Sequence, residues 1–267
     1  MNNMRKWEHQ LKVYFSLVEE LVEKREKGES NLRFDRSFII ASDIAEQYFC
    51  EKKVEMQYLY GDVETEEKSI GAEGHEKLLE DSVKINRQEL WKKIYGKKLT
   101  FALEMLLLAK YKDVVLVGRP DSVLFQNGYP IIVFEYKFSK SRTAYRTHHV
   151  QARTYGILLR NMGFDTSRLF YAVVIAGPRT RYDKDLKRKV IDAVVKNGPK
   201  EAILEIENAA VHFHKFNQTE AENDLDWATE FWKKTREAIM TSNPNKCMKC
   251  EHTVECSKSI HKELSSF

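Results

Sequence analysis

The chain predicts an α/β fold with helical flanks, on three observations. An amphipathic helix opens it. An Asn127-Gly128 turn joins two apolar stretches near its middle. A continuous apolar run, Tyr171 to Ala176, follows a further helical segment.

In order, residues 5–27 place Trp7, Leu11, Tyr14, Val18 and Leu21 at three- or four-residue steps, with Phe15 and Val22 widening the stripe, and Gly28 ends the helix. A second helix is predicted from Ser42-Asp43, where Asp43 and Glu46 have capping-box spacing. It carries Ile44, Tyr48, Val54 and Tyr58 and holds Cys50 in its middle. His75 opens a third helix after a polar stretch from Gly61 to Gly74. Strands are expected at Leu99–Ala109, Asp113–Gln126 and Pro130–Phe138, with Pro120 marking an edge or a bulge. A helix at His148–Met162 and a buried strand at Arg168–Gly177 follow. Pro178–Lys189 reads as exposed and basic. A helix near Asp183–Lys196, a strand near Ala209–Phe216 and a last helix at Ala221–Met240 complete the order.

The 267 residues are 42% apolar and 11% aromatic, enough core for one large domain or two small ones. Forty-four Lys and Arg against 40 Asp and Glu leave a net charge of +4, so clustering rather than global charge must mark any nucleic-acid surface. Eleven Gly and 5 Pro exclude collagen-like and Pro-rich disordered chains. No apolar run approaches the ~18 residues of a membrane helix, and MNNMRKWEHQ lacks the apolar centre of a signal peptide. The expectation is a soluble, cytoplasmic protein with no membrane partner. A reducing compartment argues against a disulfide framework. Three of the 4 cysteines form a C-x2-C-x5-C run, Cys247, Cys250 and Cys256, and Cys50 stands apart.

The most informative segment is Gly118-Arg-Pro-Asp121 followed by Glu135-Tyr-Lys137. Glu135 and Lys137 share a strand face, because side chains alternate with a period of two. A turn centred on 127–128 sets position 121 opposite 134 or 135, so Asp121 and Glu135 approach each other across the hairpin. Val133, Phe134, Tyr136 and Phe138 mark this strand as buried, and unpaired ions there cost several kcal/mol each. A divalent cation held by the two carboxylates would compensate them, with Lys137 beside it to orient water or to neutralise a phosphate transition state. Alone, an E-x-K is more often a surface ion pair; the preceding G-x-P-D on the partner strand shifts that balance.

Downstream, Gln151 and Tyr155 share one helical face. No acid occurs between Tyr136 and Phe164, where Lys140, Arg142, Arg146 and Arg153 are interleaved with tyrosines. That composition suits a single-stranded backbone with stacked bases, or else a solvated loop. His148-His149 and His212-x-His214 read as polar surface residues.

Together these pieces resemble the RecB-like branch of the PD-(D/E)xK nuclease superfamily. His75 after Gly71 and Gly74, Gly118-Arg-Pro-Asp121, Glu135-Tyr-Lys137 and Gln151-Ala-Arg-Thr-Tyr155 stand in the family's order. One cysteine before the His motif and three after the Q-x3-Y motif resemble its iron–sulfur subgroup, which includes the CRISPR-associated Cas-four exonucleases and the nuclease domains of AddB-type recombination enzymes; with 267 residues and no G-x4-GK-[ST] helicase motif, the stand-alone Cas-four type fits best. The resemblance implies a restriction-endonuclease-like core, a mixed central sheet flanked by helices, with a helical iron–sulfur portion. It spans about residues 37–258 of a nuclease domain taken as 37–267, with a helical extension at 1–36 and an insertion near 178–216. It further implies that His75, Asp121, Glu135 and the Tyr136 carbonyl hold Mn²⁺ or Mg²⁺, and that Lys137 is catalytic. Gln151 and Tyr155 would position DNA or the site. Cys50, Cys247, Cys250 and Cys256 would ligate a 4Fe–4S cluster. The implied activity is hydrolysis of single-stranded DNA or overhangs in spacer acquisition, beside the Cas-one/Cas-two integrase. Structural zinc on the same thiolates, and a DNA-end-binding partner with a weak or vestigial nuclease site, remain as alternatives.

Overall fold

The computed structural model describes residues 3–65, 68, 69, 72, 73, 75 and 83–256. The leading helix α1 spans Asn3–Glu26 and buries Trp7, Leu11, Tyr14 and Leu17 against the main core. A short strand β1 (Ile39–Ile40) leads into α2 (Ala41–Gln47) and α3 (Glu51–Tyr60). The single helix expected across Cys50 is therefore two. Cys50 is extended at the junction (φ −171°, ψ 122°), and Lys246 donates to the Tyr48 and Phe49 carbonyls at 3.0 Å each, closing the end of α2. Asp43 caps nothing; its carboxylate accepts the Tyr58 hydroxyl at 2.6 Å.

Helix α4 (Arg87–Ile94) precedes two sheets. The smaller has the order β1-β4-β3, with β3 Leu107–Tyr111 and β4 Val114–Gly118. The larger has the order β2-β5-β6-β7-β9-β8, with β2 Thr100–Leu103, β5 Ser122–Gln126, β6 Tyr129–Phe138, β7 Phe170–Ala176, β8 Ala202–Ile206 and β9 Ala209–Lys215. Each long strand expected before Asn127 is thus broken, and its halves serve different sheets. The first breaks at Glu104, in the left-handed region at φ 43°; the second breaks at Arg119–Asp121 around Pro120. The two bends are tied, the Glu104 N–H donating to the Asp121 carbonyl at 3.1 Å.

Asn127 (φ 52°) and Gly128 (φ 83°) both adopt the positive φ that a tight hairpin demands. β6 then runs parallel to β7 through the crossover helix α5 (Arg146–Asn161). A 3₁₀ turn (Pro178–Tyr182) and α6 (Leu186–Asn197) lead to β8, a strand the sequence reading missed, and to β9, which pairs antiparallel with β7. Helices cover both faces of the larger sheet. Val133, Tyr171 and Val173 join the core with α5 and α7 (Gln218–Trp232), whereas Phe134, Tyr136 and Phe138 pack with Leu186, Val190 and Val194 of α6.

α7 ends at Trp232 rather than continuing to Met240, with Lys234 at φ 61°. The chain turns there because Glu51, 1% exposed, gathers it in. Arg236 Nη2 donates to Glu51 Oε1 at 2.7 Å, the Ile239 N–H donates to Oε2 at 2.7 Å, and Gln47 joins Glu51 to the Trp232 indole. The short helix α8 (Pro244–Met248) follows. Glu51→Ala is expected to cost about 3 kcal/mol, because it strands a largely buried guanidinium. Urea denaturation measures this; a cost within error of zero would contradict the anchoring role.

Candidate active site

Asp121 sits at the bend between the two sheets. A register shift between Leu124 and Phe125 pairs Ser122 with Phe134, which carries Asp121 level with Glu135. Asp121 Oδ2 accepts the Tyr136 backbone N–H at 2.6 Å, and Oδ1 lies 2.8 Å from His75 Nδ1. Residues 72, 73 and His75 are helical, and Gly71 and Gly74 fall outside the described residues. The His75 ring meets Phe138 edge-on at 5.9 Å.

Glu135 is 3% exposed. Oε1 pairs with Lys137 Nζ at 2.8 Å, while Oε2 has no hydrogen-bond partner among the described residues. Lys137 Nζ also donates to Gln151 Oε1 at 3.2 Å. Gln151 Nε2 donates to the Tyr155 hydroxyl at 2.8 Å, which in turn donates to the Arg119 carbonyl at 3.4 Å. The chain of contacts runs from the acidic pair, through α5, back to the bend that carries Asp121. Gly118 permits that closure: a Cβ there would stand 2.8 Å from the Tyr155 ring and from Leu158.

Burial pushes the Glu135 carboxyl up to about 7, against the pull of Lys137 and with the help of Asp121. Burial opposes charge on Lys137 and on His75 as well. Glu135 overcomes it at Lys137 and Asp121 overcomes it at His75, so both titrate above their ordinary values. Burial likewise holds the Tyr155 phenol protonated.

The donors suit a hard divalent cation: two carboxylates, an imidazole and a strand carbonyl. As placed, these groups are engaged pairwise, His75 with Asp121 and Glu135 with Lys137. Among the described residues, no three His, Cys, Asp or Glu side chains already stand in the spacing of a single metal ion.

The four cysteines line one cavity, together with His252, Lys53 and Lys246. All are free thiols, and burial raises the Cys250 thiol. The His252 ring is 1% exposed, and its Nε2 has no partner among the described residues.

Of the four cations assigned to DNA, Arg153 is an internal tie. Its side chain is 13% exposed, its Nε donates to Asp224 Oδ2 at 2.9 Å, and it joins α5 to α7. Arg142 pairs with Glu205 at 2.6 Å on the surface. Arg146 lies over the Tyr48 ring, 3.5 Å from Asp224. Lys140 is exposed.

Two features escaped the sequence reading. Lys187 of α6 lines a small cavity with His75, Asp121 and Tyr136; nothing in a lysine-rich helix marks it. The histidines expected on the surface instead gather between α5 and β9. The His149 ring lies 5.1 Å from His214 and 6.4 Å from His212, with Nδ1 3.2 Å from the Tyr171 hydroxyl. Burial, then cationic neighbours, push His148 to about 3 and His149 to about 4. The alternation of His212 and His214 was visible, but not the helix that covers it.

Two solved structures are similar at low identity. A protein designated SSO0001 is 15% identical, over 91% of this chain and 97% of its own, with a TM-score of 0.47. An alkaline exonuclease from Laribacter hongkongensis is 11% identical, over 73% and 86%, with a TM-score of 0.38. No curated protein sequence matches. The profile of the PD-(D/E)XK nuclease superfamily matches residues 16–257, through both sheets and every motif that converges on Asp121. On that match, which spans most of its length, the chain belongs to the PD-(D/E)XK nuclease superfamily.

Proposed function

We propose that this chain is a divalent-metal-dependent deoxyribonuclease that removes nucleotides from single-stranded ends or overhangs. The observation that carries the reading is the convergence of Asp121, Glu135 and Lys137 on a strand where Glu135 is almost wholly buried. Nucleases of this superfamily work with divalent metals. Here His75, Asp121, Glu135 and the Tyr136 carbonyl would hold Mn²⁺ or Mg²⁺. When bound, the cation supplies a Lewis-acid charge that activates water and offsets charge on phosphate.

The chain's own residues do the rest. Lys137 keeps its proton and presents a fixed positive charge to the phosphate, because Glu135 holds it charged. Gln151 aims the ammonium, and Tyr155 holds Gln151. Tyr136 fixes the Asp121 carboxylate through its backbone amide, so the two acids cannot splay apart.

In the same reading, Cys50, Cys247, Cys250 and Cys256 hold a 4Fe–4S cluster. Their common cavity and thiol chemistry support it. Motif order and the one-plus-three cysteine split support the Cas-four type, which trims DNA beside the Cas-one/Cas-two integrase.

End-labelled single-stranded DNA is expected to shorten with time in Mn²⁺ or Mg²⁺. Asp121→Ala, Glu135→Ala and Lys137→Ala should each lower the rate by about a hundredfold or more. Binding without cleavage in wild type would favour the end-binding alternative. Purified protein should be brown and carry iron and acid-labile sulfide in equal amounts, both lost in Cys250→Ala; a colourless, zinc-loaded protein would refute the cluster.

Glu135 also predicts a pH dependence. Its folded pKa of about 7 lies above the ordinary carboxylate value. Its contribution to stability is therefore complete below that ordinary value and is lost as pH rises through about 7. In chelator, the melting temperature of wild type should fall more between pH 5 and 8 than that of Glu135→Gln. Equal slopes would contradict the burial of a chargeable group.

A further inference from the structure

The parallel strands β6 and β7 end side by side, where the Ser139 N–H donates to the Ala176 carbonyl at 2.8 Å. Beyond that point their loops diverge around a groove of about 720 Å³. Such a crevice, at the carboxyl ends of neighbouring parallel strands, is where α/β sheets seat ligands. It is lined by Ser139, Lys140 and Arg142 from the stretch after β6, by Arg179 and Lys189 from the stretch after β7, and by Asn208 from the turn before β9. The floor is held rigid by Asn208, whose carbonyl accepts both the Gly177 N–H at 2.9 Å and the Thr180 hydroxyl at 3.3 Å.

The groove is cationic. Its two acids, Asp183 and Glu207, both pair with Lys189, at 2.7 and 3.2 Å. Arg142 is engaged only by an exposed ion pair with Glu205, which an incoming anion can exchange at little cost. Lys140 and Arg179 are exposed and make no hydrogen bond or ion pair among the described residues. Two cations that are unpaired among the described residues thus line the same groove.

The trough begins beside the catalytic strand. Ser139 lies two residues beyond Lys137 on β6, about 7 Å along an extended chain. The segment that supplies Arg179 and Lys189 also supplies Lys187, which lines the cavity holding His75 and Asp121. One stretch of chain therefore touches both the reacting centre and the groove.

We propose that this groove binds the sugar–phosphate backbone of single-stranded DNA next to the bond being cut. Arg179 and Lys140 each contact a phosphate, and the 178–189 segment acts as the guide that aligns the strand. The proposal rests on the nuclease reading above and names part of its substrate path. Contacts of this kind are independent of base sequence and sensitive to salt.

The test follows binding of a fluorescein-labelled single-stranded oligonucleotide by anisotropy across a salt series, with chelator present to prevent cutting. Mn²⁺-dependent degradation is assayed in parallel. For Lys140→Gln/Arg179→Gln, the slope of log affinity against log salt should shrink by about 1.4, roughly 0.7 for each phosphate that is no longer neutralised. The weakening should be equal for unrelated sequences. Both side chains are exposed and unbonded, so circular dichroism should show an unchanged fold. If the variant keeps wild-type affinity and slope while wild type cleaves, the groove assignment falls and the nuclease reading stands. If wild type binds but does not cleave, and the variant binds with the reduced slope, the groove stands and the nuclease reading falls. A wild type that neither binds nor cleaves overturns both.

Discussion

The hydrogen bond from the Tyr136 amide to the Asp121 carboxylate is the constraint on which the rest of the site depends. The chain must leave one sheet and enter another at Arg119–Asp121, and a bend of that kind has few backbone partners of its own. Tying its carboxylate to β6 converts the bend into a fixed offset between two strands. Glu135 and Lys137 then sit beside Asp121 on one face, while Tyr136 and Phe138 anchor the other face under α6. The acids are therefore carried by a strand packed on both sides, the kind of support that keeps a reacting geometry from drifting.

That placement is costly for stability. A carboxylate as buried as Glu135 is disfavoured in its charged form by several kcal/mol unless it is compensated. Lys137 compensates one of its oxygens. A core built for stability alone would place an apolar side chain there. Local disagreement with packing rules of this kind is what functional positions show in folded proteins.

A second assembly is organised the same way, by a buried charge. Glu51 directly follows Cys50 and draws in Arg236 and Ile239, so the chain doubles back and delivers Cys247, Cys250 and Cys256 to the cavity that Cys50 lines. Lys246 then closes α2 through the Tyr48 and Phe49 carbonyls. Helix α2 packs against α5, which carries Gln151 and Tyr155, and the chain runs from the end of α2 into the cysteine cavity.

Much of this was legible in the chain itself. The period-two alternation of β6, the Asn127-Gly128 turn and the three-four spacing of α1 are local properties, set by backbone geometry and by which faces are apolar. They placed Asp121 opposite Glu135 and put Gln151 and Tyr155 on one helical face. The tertiary structure decided what depends on distant partners. It broke the helix at Cys50, because the C-terminal segment supplies hydrogen bonds there. It split each long strand between two sheets, because bends at Glu104 and Asp121 hold one another. It turned Arg153 inward to Asp224 and set the histidines of β9 against His149 of α5. A side chain's neighbours on its own strand or helix are written in the sequence, whereas a partner a hundred residues away is chosen only when the whole core closes.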